Sequence, residues 1–89
     1  PRLAHPEGVA VHPDGSIWCG TENGELLRIA ADGTSYDRIG TTGGFLLGIA
    51  FDAAGRCYAC DLFHSAIFCH DPATGRFDRF ADSGILVPN

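Results

Sequence analysis

The chain contains no lysine and no methionine, and its six basic residues are all arginines. Without lysine, Schiff-base and lysine-nucleophile chemistry is excluded from these residues. Net charge is −5 and the arginines are scattered, so no basic patch exists to neutralise phosphates, and nucleic acid is not expected as a partner. No apolar run approaches the roughly 18 residues of a membrane-spanning helix, so no membrane partner is expected. No stretch of ten or more residues repeats its apolar positions at helical spacing, which excludes a substantial helix. Nucleophile-elbow, P-loop and dinucleotide-binding glycine patterns are all missing. The absence of an initiator methionine suggests that the sequence is an excerpt of a longer chain.

What is present is a repeat. The chain is 45% apolar with twelve glycines and five prolines, which belongs to a folded, turn-rich domain. PEGVAVHPDGSIW, from Pro6 to Trp18, is answered forty residues later by LLGIAFDAAGRCY: Gly48 matches Gly8, Ala50 matches Ala10, Gly55 matches Gly15 and Tyr58 matches Trp18. Alternating apolar and polar residues predict strands over Gly8 to Val11, Ser16 to Gly20, Glu25 to Ala30 and Tyr36 to Ile39. A second set is predicted over Leu47 to Phe51, Arg56 to Cys60, Ala66 to His70 and Phe77 to Phe80. Turns at His12 to Gly15, Asn23-Gly24 and Asp32-Gly33, with their counterparts in the second copy, separate them. Four short strands per period of forty to forty-two residues is the pattern of a β-propeller blade. The expected fold is therefore all-β, with a lead-in at residues 1–5, one blade over 6–44, a second over 45–84 and the start of a third at 85–89. Two blades cannot close a ring, so further blades, or association with other copies, are expected to cover the open sheet faces.

One difference between the copies stands out. Glu7 opens the first inner strand where the second copy has Leu47, and Asn89 lies where a third inner strand would begin. Oxygen-bearing side chains on a ring suit a hard cation such as calcium, although each residue also reads as an ordinary loop position.

PEGVAVHPDGSIWCGTENGELLRI, LLGIAFDAAGRCYACDLFHSAIFCHDPATGRFDRF and the closing VPN resemble the superfamily of gluconolactonases, regucalcin (senescence marker protein) and strictosidine-synthase-like propellers, over about two of the six blades of those proteins. The resemblance implies that Glu7 and Asn89 are two ligands of a divalent metal in the central channel, calcium foremost and zinc as an alternative. It implies a lactone or ester substrate, with the remaining ligands and the catalytic base supplied by other blades, so no catalytic residue is assigned within these residues. Strictosidine synthase itself uses no metal, which leaves a metal-free propeller as a rival, beside a non-catalytic binding or scaffold module.

Cys57-Tyr58-Ala59-Cys60 and Cys69 resemble a zinc half-site in spacing only. Residues three apart on a strand point to opposite faces, so both thiolates cannot readily reach one metal. Their counterparts, Ile17, Gly20 and Ile29, mark core positions, and buried free thiols are expected. Such thiols, with no visible signal peptide, favour a cytoplasmic setting. His12 and His70, beside turns, are expected to be solvated. Phe63 and His64, in the loop after Asp61, are candidates to line a substrate pocket, and Asp61 is expected to fix that loop.

Overall fold

In the computed structural model, residues 6–81 are described, and they form eight strands in two antiparallel sheets. The first sheet is a meander of β1 (Pro6–Val11), β2 (Ile17–Thr21), β3 (Glu25–Ile29) and β4 (Tyr36–Thr41). The second repeats it with β5 (Leu46–Phe51), β6 (Cys57–Asp61), β7 (Ala66–Asp71) and β8 (Arg76–Ala81). These are two propeller blades, and no helix occurs among the described residues. The lead-in at 1–5 and the end of the chain from 82 lie outside them.

The turns follow from their residues. Gly15 and Gly55 close the β1–β2 and β5–β6 turns with φ of +92° and +84°, a conformation that costs a residue with a Cβ. An aspartate braces each turn and the aromatic residue beyond it. Asp14 Oδ1 accepts bonds from the Ser16 amide (2.8 Å) and hydroxyl (2.5 Å), and Ser16 Oγ in turn accepts the Trp18 indole N–H (3.0 Å). In the second blade Asp52 plays that part, accepting the Arg56 amide (2.9 Å) and the Tyr58 hydroxyl (3.0 Å). β2 and β6 both begin one residue later than the alternation suggests, after the residue whose amide the turn aspartate holds.

The blades stack through a core of Trp18, Leu26, Leu46, Cys57 and Ala59, with Ile39, Ile49, Phe51 and Phe77 packed around it. Two glycines set how closely they approach. A Cβ on Gly8 would strike the Leu47 carbonyl, and one on Gly20 would lie 2.5 Å from the Leu46 Cβ. Between the blades Trp18 meets Phe51 edge-on at 5.5 Å, His12 at 5.9 Å and His70 at 5.6 Å.

That aromatic cluster corrects the reading of two histidines. His12 also packs edge-on to Phe51 at 5.0 Å, and both His12 and His70 are half-buried between the blades instead of solvated. His70 occupies the place of Ile29, which the sequence comparison gave to Cys69. β2 pairs Ile17 with Ile29, while β6 pairs Cys57 with His70 and Tyr58 with Cys69. The β6–β7 loop is one residue longer than the β2–β3 loop, so the period shifts from forty to forty-one there.

Candidate functional site

The start of each blade's first strand carries the candidate metal position. β1 pairs Pro6 with Thr21 and then Gly8 with Gly20, so Glu7 is the extra residue of a β-bulge. β5 pairs Leu46 with Asp61 and then Gly48 with Cys60, which makes Leu47 the extra residue of the same bulge in the second blade. A bulge leaves one residue out of the ladder and re-aims it, and such features recur at the rims of barrels and beside active sites. A clear chemical difference between the copies, carboxylate against isobutyl, thus falls on the ladder's irregular position. The Glu7 side chain and all of Asn89 lie outside what is described. Among the described residues no group of three or more His, Cys, Asp or Glu side chains converges as a metal cage. The donor types of Glu7 and Asn89 fit a hard cation.

The same edge of the sheets carries the candidate pocket residues. β6 ends at Asp61 beside the start of β5, and the Leu62 amide donates to the Phe45 carbonyl at 2.8 Å. In the first blade Thr42 N–H donates to the Gly24 carbonyl at 2.8 Å. The antiparallel order therefore gathers loops 22–24, 42–45 and 62–65 along the edge where Glu7 and Leu47 lie.

Asp61 is the buried centre of that edge, with no exposed surface. Its Oδ1 accepts the amides of Phe45 (3.3 Å) and His64 (3.0 Å), and its Oδ2 lies 2.7 Å from His64 Nδ1. Burial pushes the carboxyl pKa up, but hydrogen bonds from Thr42, His64 and Phe45 outweigh it and hold it below the ordinary value. Asp61 does more than fix its own turn: it ties the β6–β7 loop to the segment joining the blades. Gly44 passes so close that a Cβ there would overlap the carboxylate.

His64 is half-buried against Asp61, and Phe63 is 75% exposed with its ring 5.0 Å from the imidazole. The structure thus brings Phe63 and His64 together on the edge that carries Glu7. The Asp61–His64 pairing was not legible from spacing alone, although a Asp-x-x-His loop is a recognisable local signal once the loop is placed.

Of the three cysteines expected to be buried, Cys57 is, whereas Cys60 and Cys69 are only half-buried, because they share the less covered face of the second blade with Tyr58. Cys57 and Cys60 point to opposite faces of β6, all four thiols are free, and burial raises the Cys57 thiol to about 12, with Cys69 nearby adding to the effect. A thiol held so far above neutrality is a poor metal ligand or nucleophile.

Comparison with known proteins agrees with this architecture. The sequence model of a family described as strictosidine synthase-like, N-terminal, matches residues 1–29. No curated protein matches the chain. Among solved structures, the blades are similar to a streptogramin B lyase (TM-score 0.75, 14% identity, 88% of this chain and 26% of that one). They are also similar to virginiamycin B lyase from Staphylococcus aureus (TM-score 0.75, 16% identity, 97% of this chain and 28% of that one). The chain spans about a quarter of the length of these structures, and at such identities the likeness shows the fold alone. Both are propeller proteins, which bears out the propeller fold, and the family match over residues 1–29 agrees with the strictosidine-synthase-like part of the resemblance read from the sequence.

Proposed function

We propose that the chain forms two blades of a metal-dependent hydrolase that opens a lactone or ester at the channel mouth of a propeller. The observation that carries this reading is the bulge at Glu7, where one blade offers a carboxylate and the next offers Leu47. Glu7 and Asn89 would hold a divalent cation, with calcium favoured by oxygen donors. Such a cation, when bound, polarises a carbonyl and stabilises the negative charge that develops on its oxygen. Glu7 serves as a ligand and does not attack the substrate. Other blades would cover the open sheet faces and supply the remaining ligands. Two solved structures of this fold are named as lyases, which supports an enzyme over a passive scaffold.

The family match over residues 1–29 also supports a second reading, a strictosidine-synthase-like propeller without metal chemistry. Lactone hydrolysis by the full-length protein separates the two. The metal-dependent reading expects turnover of small lactones that a chelator abolishes and calcium restores. Turnover indifferent to chelation would contradict it and favour the metal-free propeller.

A further inference from the structure

We infer that His64, oriented by the buried Asp61, is a general base that this chain itself presents to a bound substrate. The inference rests on the reading that the edge carrying Glu7 is the mouth of the reactive channel.

Four observations lead to it. Asp61 is fully buried and ionised, so it can only accept hydrogen bonds, and the 2.7 Å contact therefore requires the proton on His64 Nδ1. In the neutral imidazole that fixes the tautomer and leaves the Nε2 lone pair as the basic site. Nε2 makes no hydrogen bond to a described residue, and the side chain keeps 31% of its surface exposed. The exposed Phe63 ring stands beside it as an apolar lip suited to the carbon skeleton of a small substrate.

Loop closure does not account for the pair. In the first blade the corresponding position is Thr21, whose Oγ1 accepts the amides of Asn23 and Glu25 at 3.2 Å each. A neutral hydroxyl suffices to close that loop, with no carboxylate and no imidazole. The second blade instead buries a charge, which is costly unless paired, and spends one of its partners on a half-exposed histidine. An imidazole held by a carboxylate through Nδ1, with Nε2 outward, is the arrangement that orients a base for proton transfer.

The step is balanced with water as the only co-reactant. Nε2 takes a proton from water as its oxygen bonds to the lactone carbonyl carbon. The ring C–O bond then breaks, and the imidazolium returns its proton to the departing alkoxide. The product is a hydroxy acid and neutral His64. Asp61 acts only through His64 and is a positioning residue.

Two readouts on the full-length protein test this. Acylation by diethyl pyrocarbonate, followed by peptide mass mapping, reads the imidazole directly: His64 should react at least about tenfold faster than His70. Slow acylation of His64 would overturn the inference whether or not the protein hydrolyses lactones. With δ-valerolactone as probe, His64→Gln should lower kcat about 100-fold with little change in KM and remove the acidic limb of the pH profile. An unchanged kcat and pH profile in that variant would overturn the inference while leaving the hydrolase reading intact. Fast acylation of His64 without lactone turnover would support the presented base and instead remove the lactone as substrate.

Discussion

At the residue scale, His70 shows the cost of a local compromise. Its Nδ1 is buried between the blades without a hydrogen-bond partner, at the position that the first blade gives to Ile29. Burial lowers its pKa from 6.5; Asp71 nearby opposes that shift and Arg28 reinforces it. The folded state therefore binds the proton less readily than the unfolded chain. Stability from this residue is fully present above pH 6.5 and falls as the pH drops from there toward the lowered value. His70→Ile should raise stability at neutral pH by about 1 kcal/mol and flatten the slope below pH 6.5, as read by urea midpoints across that range. A variant no more stable than the parent at pH 5 would show that the buried nitrogen is not penalised. The size of Trp18 alone marks it in the sequence as a residue suited to a contact between sheets. The partners it gathers from the second blade were not legible there, because Phe51 and His70 meet it only when two blades stack.

At the scale of the elements, strand number and order were legible because glycine and aspartate mark nearly every turn. The bonds of Arg56 to Asp52 lay beyond that signal, since they are made through space within the turn. The bulges at Glu7 and Leu47 have no signature in the alternation, since an added residue in a strand looks like continued strand. The longer β6–β7 loop also departs from the first copy in its backbone. Ser65 ends it at φ +52°, where Gly24 ends the shorter β2–β3 loop at φ +78°. A residue with a Cβ is strained in that region, so Ser65→Gly should stabilise the protein by about 0.5–1 kcal/mol. Calorimetry of the full-length protein checks it, and a lower melting temperature would mean that the Ser65 side chain contributes more than its backbone costs.

At the scale of the whole molecule, the two blades show one stacking interface and apolar side chains left outside it. β2 is buried at four of its five positions, whereas β6 alternates between buried and half-buried, with Tyr58 and Cys60 on its less covered face. Val9 and Val11 on β1 and Phe80 on β8 are likewise well exposed for large apolar side chains. The repeat made the fold legible, since sequence similarity between copies reports a shared backbone. It made the candidate edge only partly legible: the contrast of Glu7 with Leu47 stands in the letters, while the Asp61–His64 pair emerges only from the placement of a loop. Calcium titration of the full-length protein by isothermal calorimetry tests the contrast of Glu7 with Leu47 most directly. Wild-type protein should bind calcium, and Glu7→Gln, which removes one carboxylate ligand, should weaken binding by at least about tenfold without lowering the melting temperature of the metal-free protein. Equal affinity in the two proteins would contradict the assignment of Glu7 as a metal ligand.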